Sequence, residues 1–204
     1  MTLPLRFARL SGLYLMILVA VAGSVSCDPA AVVLNNTASL GGTVPGQRGK
    51  IRVAFINNTP FRAIFTFGTY DPQNQHSSPE FEQFYVDPDA TNRLEGNSSS
   101  QTFQFTCGRV VSVGDAALIA RIQSTRATRF NGGPTSSAAL QTGIAFSDRP
   151  LDDPAADQPT AGRSDPIITL QGAQYQCDSL LVYTFEADAT QPDGYRIDLA
   201  VILP

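Results

Sequence analysis

Residues 51–70 hold two apolar segments that alternate in character, and they constrain the fold of this chain more than any other stretch. In the second segment, apolar side chains recur at every second position: Phe61, Ala63, Phe65 and Phe67. Aromatic and β-branched residues with period-two spacing lie on one face of a strand. Residues 57–60 interrupt the pattern with Asn-Asn-Thr-Pro, which favours a turn. The stretch predicts a β-hairpin whose apolar face must be covered by a second sheet.

The rest of the chain alternates short β-like segments with turn-rich ones. Strand candidates are residues 81–86, 102–107, 109–113, 116–123, 142–147, 167–170, 180–185 and 195–203. Residues 116–123 contain Ala and Leu, which suit a helix, but their length and flanking turn residues favour a strand. Residues 195–203 alternate and then become continuously apolar, which is typical of a central strand. About eight to ten short strands predict an all-β fold, an antiparallel β-sandwich.

The charge of the chain excludes one class of partner. Charged residues make up 16% of the chain, and the formal net charge is -4. Without residues 1–26, which contain two arginines and no acid, 12 basic residues remain against 18 acidic ones, a net charge of -6. A mildly acidic protein does not attract nucleic acid through its overall field, so we expect no nucleic-acid partner.

The N-terminal residues 1–26 have the pattern of an export signal. Arg6 and Arg9 precede an apolar run over residues 10–25, and that run ends in small residues. The run is shorter than the roughly 20 residues that cross a bilayer core, and no basic flank follows it. We therefore favour a cleaved signal peptide over a transmembrane anchor.

The end of this leader resembles the lipobox of bacterial lipoproteins. Ser26 and Cys27 stand where that motif has its small residue and its lipidated cysteine, and Ser24 stands where it usually has leucine. The resemblance implies lipidation of Cys27 and attachment of the protein to a membrane of the bacterial cell envelope, on the periplasmic or surface side. Ordinary cleavage at residues 24–26 or 20–22, which leaves Cys27 without lipid, is the alternative.

Three cysteines are present, and an odd number in an exported protein needs an explanation. If Cys27 carries lipid, Cys107 and Cys177 remain as one pair. We expect a disulfide bond between them, since export permits it. Two free buried thiols on separate strands are the alternative.

The mature chain divides into two parts. Residues 27–49 comprise the lipid-attachment cysteine and a small, polar, Gly-rich segment, which predicts a flexible tether. An apolar patch at residues 32–34, Val-Val-Leu, has the composition of an edge strand. Residues 50–204 are expected to form the sandwich domain.

Catalytic signatures are weak. His76 is the only histidine and lies in a polar loop over residues 71–79, so neither a histidine-dependent triad nor a zinc site is indicated. Glu80 and Glu82 would share one face of a strand, as a glycosidase pair requires, but solvent exposure explains them equally well. We assign no catalytic residue and no cofactor.

Two weak sites for ligands are also present. Asp87 and Asp89 are loop carboxylates of the kind that calcium prefers, although aspartate is equally common in turns. A small basic cluster with a neighbouring aromatic ring could receive an anionic or sugar ligand, or it could be a solvated loop. Its members are Arg121, Arg126, Arg129 and Phe130. Asn35, Asn57 and Asn97 match the glycosylation pattern, which occurs by chance if the leader is bacterial.

These features predict an exported, lipid-anchored protein of the cell envelope with a non-catalytic binding or structural role. The candidate surfaces are the long loops over residues 71–79, 124–141 and 148–165. The expected partner is the membrane, through the lipid, together with an envelope protein or a glycan. The alternative is an envelope glycan-active enzyme or a calcium-dependent carbohydrate-binding module.

Overall fold

The structure, a computed structural model, describes residues 49–130 and 141–204 apart from residues 75, 88, 157 and 159, and only the backbone of residues 126–130. Eleven strands and one helix lie in these residues. The strands are β1 (Lys50–Asn57), β2 (Arg62–Tyr70), β3 (Glu80–Phe84), β4 (Ser98–Ser99), β5 (Phe103–Thr106), β6 (Val110–Val113), β7 (Ile144–Ser147), β8 (Ala161–Arg163), β9 (Ile167–Leu170), β10 (Leu180–Ala187) and β11 (Tyr195–Ile202). The helix is α1 (Ala116–Phe130). The predicted all-β sandwich is confirmed, with slightly more strands than expected.

Each of the two sheets is built around one long strand. In the first sheet, β1 pairs with β10 on one side and with β4 and β5 on the other, and β11 lies beyond β10. In the second sheet, β2 pairs with β3 on one side and with β6 and β7 on the other, and β9 and β8 lie beyond them. The β1–β10 pair is parallel, whereas the other pairs between the described strands are antiparallel.

The hairpin predicted for residues 51–70 is wrong, because β1 and β2 belong to different sheets. Residues 58–61 carry the chain from one sheet to the other. The apolar faces of the two strands meet across the sandwich, where the ring centroid of Phe55 lies 4.8 Å from that of Phe65 and 4.5 Å from that of Phe67. Alternation correctly identified the side chains that face the core, but it carries no information about which strand is the hydrogen-bonded neighbour.

Aromatic rings fill much of the space between the sheets. Phe55 stacks on Tyr183 with 5.4 Å between ring centroids, and Phe146 stacks on Tyr195 at 4.1 Å. Phe103 faces inward from β5 and meets Phe84 edge to face at 5.6 Å. Offset and edge-to-face contacts of this kind add to the stabilisation that burial alone provides.

The strand predicted for residues 116–123 is also wrong, because these residues begin α1. The helix continues into residues 124–130, for which the sequence predicts a loop, and residues 131–140 lie outside the described residues. Asp115 caps the helix: its Oδ1 accepts a hydrogen bond from the Ala117 N–H at 2.8 Å. An aspartate at this position satisfies a backbone donor that would otherwise have no partner in the first turn.

The outer face of the second sheet is covered at two places. Leu118, Ile119 and Ile122 of α1 form a buried cluster against Tyr70 and Phe81. A second cluster is built on β2, β7 and the segment after β3; its members are Ile64, Val86 and Ala145, with Tyr85 and Leu151 packed against them. The helix and the loops therefore act as a third layer on this side of the sandwich.

Two predictions about the C-terminal part need correction. Residues 195–203 do not supply a central strand, because β11 lies at the edge of the first sheet, beside β10. The loop predicted over residues 148–165 contains the short strand β8. A turn precedes Tyr195: Gly194 has φ +79° and donates its N–H to the Gln191 carbonyl at 3.1 Å.

Candidate functional site

One end of the sandwich, which we call the entry end, is where the described chain enters β1 at Gly49 and where β11 ends. The predicted disulfide bond between Cys107 and Cys177 is confirmed at this end, with 5.7 Å between the Cα atoms. The Cys107 N–H donates to the Gly49 carbonyl at 2.5 Å, so the bond lies beside the first described residues. Cys27, the predicted lipidation site, lies outside the described residues.

The segment between β9 and β10 closes the entry end. Gln171 donates its backbone N–H to the Arg109 carbonyl at 3.0 Å, and the Tyr175 hydroxyl donates to the Gly108 carbonyl. Burial of Tyr175 raises the pKa of its phenol to about 12. A phenol in this state keeps its proton at neutral pH, so Tyr175 acts as a hydrogen-bond donor that holds the loop.

Large exposed apolar side chains of the described residues concentrate towards the entry end. Leu170 ends β9, while Ile202 pairs with Leu180 where β11 ends, and Leu203 follows directly. Ile168 lies two positions before Leu170, on the same side of β9. Among the described residues, the end of the domain that contains Gly49 is thus also the end with the most exposed large apolar side chains.

Arg121, predicted as a ligand-binding residue, binds main-chain carbonyls of the loop over residues 71–79. Its Nη1 donates to the Asp71 carbonyl at 3.0 Å, and its Nη2 donates to the carbonyls of Asn74 and Ser77 at 2.9 and 2.8 Å. These contacts join α1 to the loop after β2. Arg126, Arg129 and Phe130 lie in the last part of α1, and their side chains are outside the described residues.

Tyr70 connects the same helix to the second sheet. Its hydroxyl donates to Asp115 Oδ2 at 2.8 Å, and its ring lies beneath the Arg121 guanidinium. Burial, followed by the hydrogen bond to Asp115 and the charge of that carboxylate, raises the pKa of Tyr70 above its ordinary value. The phenol therefore stays protonated and is not a base; Asp115, Tyr70 and Arg121 together hold α1 against the sheet.

Asp87 and Asp89, predicted as a weak calcium site, lie together in a turn. Asp87 Oδ1 accepts the Asp89 N–H at 2.9 Å, and the Asp87 carbonyl accepts the Ala90 N–H at 2.9 Å. Among the described residues, no group of three or more His, Cys, Asp or Glu side chains is placed to hold a metal ion. Calcium binding stays a prediction.

The two glutamates considered as an acid pair contact different elements. Glu80 Oε2 accepts the Thr106 N–H at 2.6 Å, and Glu82 Oε2 accepts a hydrogen bond from Asn92 Nδ2 at 3.1 Å. His76 is exposed, and its backbone N–H donates to Asn74 Oδ1 at 3.2 Å. These contacts stabilise β5 and two loops.

Sequence reasoning missed the role of Asn57, which is fully buried at the crossing between the two sheets. Its Nδ2 donates to the carbonyls of Phe61 and Glu95 at 2.8 and 3.1 Å. Its Oδ1 accepts from the N–H and the hydroxyl of Thr59 at 3.1 and 2.7 Å. Although Asn57 matches the glycosylation pattern, its amide is inaccessible in the folded protein. The turn-forming neighbours signalled a local bend, but nothing in the sequence indicated its burial.

Comparison of the chain with models of protein families, with curated proteins and with solved structures finds no match. The one helix in the described part of the chain, α1, is not long and apolar enough to cross a membrane.

Proposed function

We propose that this protein is exported and anchored in the bacterial cell envelope by a lipid on Cys27, and that its sandwich has a non-catalytic binding or structural role. The observation that carries the proposal is the bond between Cys107 and Cys177. A disulfide bond suits an oxidising compartment. It also uses two of the three cysteines and leaves Cys27, at the end of the leader, as the third.

The contacts of the polar side chains support a role without catalysis. Arg121 is bound to three carbonyls, Glu80 to a backbone N–H, and Asp87 to the turn that it begins. Tyr70 and Tyr175 have raised pKa values and keep their protons. Catalytic acids and bases need pKa values near the working pH. In the described residues, these groups instead hold loops and the helix in place.

Two of the candidate loops lie at opposite ends of the sandwich. The loop over residues 71–79 follows Tyr70 and is bound to the entry end by Arg109, whose Nε lies 3.5 Å from Asp71 Oδ2. Residues 148–158 follow β7 at the opposite end, where Ser147 pairs with Arg62. A domain held at its entry end presents the opposite end away from the membrane. We therefore favour residues 148–158 and the neighbouring loops as the surface for an envelope protein or glycan.

The intact mass of the protein purified from its native membranes tests the anchor. We expect a chain that begins at Cys27 with acyl groups attached, and a mass that rises by two hydrogens on reduction. Cys27→Ser should release the protein into the soluble fraction, whereas Ser24→Ala should remain with the membrane. A native chain without lipid would overturn the anchoring.

Assays on envelope glycans test the non-catalytic role. The purified protein is incubated with insoluble cell-wall glycan, and both co-sedimentation and release of soluble sugars are measured, with calcium and with a chelator. We expect no release of sugar under either condition. Turnover of the glycan would establish the enzyme alternative, and co-sedimentation that requires calcium would establish the calcium-dependent binding module.

A further inference from the structure

The exposed apolar side chains at the entry end form a rim around it. Leu170 and Ile202, which end β9 and β11, are 44% and 41% exposed, and Leu203 is 59% exposed. Their neighbours Thr169 and Val201 face the core, so Leu170 points outward from the second sheet and Ile202 points outward from the first. We call Leu170, Ile202 and Leu203 the apolar rim. The rim therefore includes both outer faces of the sandwich.

A polar segment lies between the two sides of the rim. Residues 171–179 lead from the end of β9 in the second sheet to the start of β10 in the first, and Ile202 pairs with Leu180 at that start. Three glutamines of this segment are exposed, namely Gln171, Gln174 and Gln176. The entry end thus has amide groups at its centre and apolar side chains around them.

This arrangement fits a lipid surface better than a protein partner. Protein–protein interfaces have an apolar centre and a polar rim, which is the reverse of the order found here. The headgroup region of a bilayer accepts apolar side chains to a depth of about 5–10 Å, and its polar groups can bond to amides. Ile168, which is 38% exposed, lies two residues before Leu170, about 7 Å along β9. The outer side of β9 is therefore apolar over the depth that such a contact requires.

The charges of the two ends favour the same orientation. Basic and acidic residues balance at the entry end: Lys50, Arg52 and Arg109 stand against Asp71, Glu80 and Asp178. Acids predominate at the opposite end, in residues 148–158 and in the turn over residues 188–194. Those two segments hold one basic residue, Arg149, and the acids Asp148, Asp152, Asp153, Asp157, Asp188 and Asp193. A surface with anionic headgroups repels the acidic end more than the entry end, so the entry end turns towards it.

We propose that the entry end of the sandwich rests on the membrane, with the apolar rim inserted among the lipid headgroups. This inference rests on the proposed attachment of the protein to a membrane, and it adds how the domain is oriented there. Residues 27–48 can span about 70 Å when extended, at roughly 3.3 Å per residue, so a lipid on Cys27 alone leaves the orientation open. A few apolar side chains bind a bilayer only weakly, so the rim acts together with the attachment.

Fluorescence of a single tryptophan tests the contact, because the chain has none of its own. The mature chain is coupled to a maleimide lipid through the Cys27 thiol, which the bond between Cys107 and Cys177 leaves free. The vesicles contain phosphatidylethanolamine and phosphatidylglycerol. For Leu203→Trp we expect emission at a shorter wavelength than in the uncoupled protein. Brominated lipid should quench at least about half of this emission, since an indole prefers the membrane interface.

Two further variants complete the experiment. Gln191→Trp, at an exposed position in the turn between β10 and β11, is the matched control and should show neither the shift nor the quenching. Leu170→Ser/Ile202→Ser, added to Leu203→Trp, should lower the quenching to the level of Gln191→Trp. Both replaced side chains are exposed, so the unfolding midpoint should stay close to that of Leu203→Trp.

Three results would overturn the proposal. The first is an emission of Leu203→Trp that brominated lipid does not quench. The second is equal quenching of Leu203→Trp and Gln191→Trp, or quenching that persists in the serine variant. The third is a shift of Leu203→Trp that depends on protein concentration without vesicles, since that would assign the rim to a second copy of the chain. Because the coupling is chemical, the result does not depend on lipid at Cys27 in the cell, on which the mass measurement reports separately.

Discussion

The guanidinium carbon of Arg121 lies 5.4 Å from the centre of the Tyr70 ring, and the same guanidinium donates to carbonyls of the loop that begins after Tyr70. One side chain thus holds both the end of β2 and the loop that follows it. A planar group with five donors suits this task, because it can reach several carbonyls at once. The contact explains how a polar loop rich in Asn and Gln is ordered on the side of the helix.

Arg121→Ala should therefore destabilise the protein by about 2 kcal/mol, since it removes charged hydrogen bonds from partly buried carbonyls. Arg121→Lys should recover only part of the loss, because an ammonium group cannot reproduce the planar fork. Unfolding in denaturant and hydrogen exchange of residues 71–79 measure the two effects. Arg93→Ala, at an exposed arginine, is the control and should change stability by less than about 0.5 kcal/mol. Equal behaviour of Arg121→Ala and Arg93→Ala would contradict the role of Arg121.

Asn57→Ala should lower the free energy of unfolding by about 3 kcal/mol, because buried carbonyls and the Thr59 groups lose their partners. The adjacent Asn58 is exposed, and its side-chain Nδ2 donates to Glu186 Oε1 at the long distance of 3.4 Å. Asn58→Ala is therefore the matched control, with an expected change below about 0.5 kcal/mol. Chemical denaturation compares the two variants, and similar midpoints would show that the crossing does not depend on Asn57.

Removal of the disulfide bond should cost about 4 kcal/mol on the chain-entropy model, given a separation of 70 residues. The double variant Cys107→Ala/Cys177→Ala removes both thiols, and unfolding is followed with and without reductant. Reductant should shift the wild-type midpoint towards that of the double variant and leave the double variant unchanged. The expected stabilisation would be contradicted if the wild-type unfolding midpoint did not change with reductant while the mass showed that the disulfide bond was reduced.

Stability should fall at alkaline pH. The pKa of Tyr175 is raised to about 12 in the folded protein, above its ordinary value of 10.0. Below pH 10 the phenol is protonated in both states and its stabilising contribution is complete. As the pH rises from 10 to 12, the unfolded chain loses the proton first, so the free energy of unfolding decreases. Burial also raises the pKa of Tyr183, which acts in the same direction.

Tyr175→Phe isolates this contribution. At pH 8 the variant should be less stable by about 1 kcal/mol, because the hydrogen bond to the Gly108 carbonyl is lost. Above pH 10 its stability should decline less steeply than that of the wild type, so the gap between the two narrows. Unfolding free energies measured between pH 8 and pH 11.5 give both curves. Parallel curves would exclude Tyr175 from the alkaline transition.

Alternation in the sequence was sufficient to predict which residues of β1 and β2 face the core, and cysteine parity predicted the bond between Cys107 and Cys177. The pairing of the strands was not predictable, because backbone hydrogen bonds form equally well with any neighbouring strand and do not identify which strand that is. Phe55 faces Phe65 in either a hairpin or a sandwich, and only the complete set of packing contacts selects the second. The pairing of Arg52 with Leu180 joins residues from opposite parts of the chain and leaves no local signal.

The helix was missed because its apolar residues satisfy two periods at once. Leu118 and Ile122 are four positions apart, so they share a face in a helix and in a strand. The contacts that decide between the two are tertiary: the pairing of Tyr70 with Asp115 and the packing of the helix on Phe81. The burial of Asn57 was missed for a similar reason. Asparagine forms the same turn at the surface and in the interior, so its turn preference does not indicate whether it is buried.

The parallel pairing of β1 with β10 also sets the order in which this protein can fold. β1 leaves the ribosome early, whereas β10 is synthesised near the end of the chain, so the first sheet has no central pair until most of the polypeptide exists. Pairing between such distant segments is slow, because a long loop must close before any contact stabilises it. The first sheet is consequently completed only after most of the chain has been synthesised.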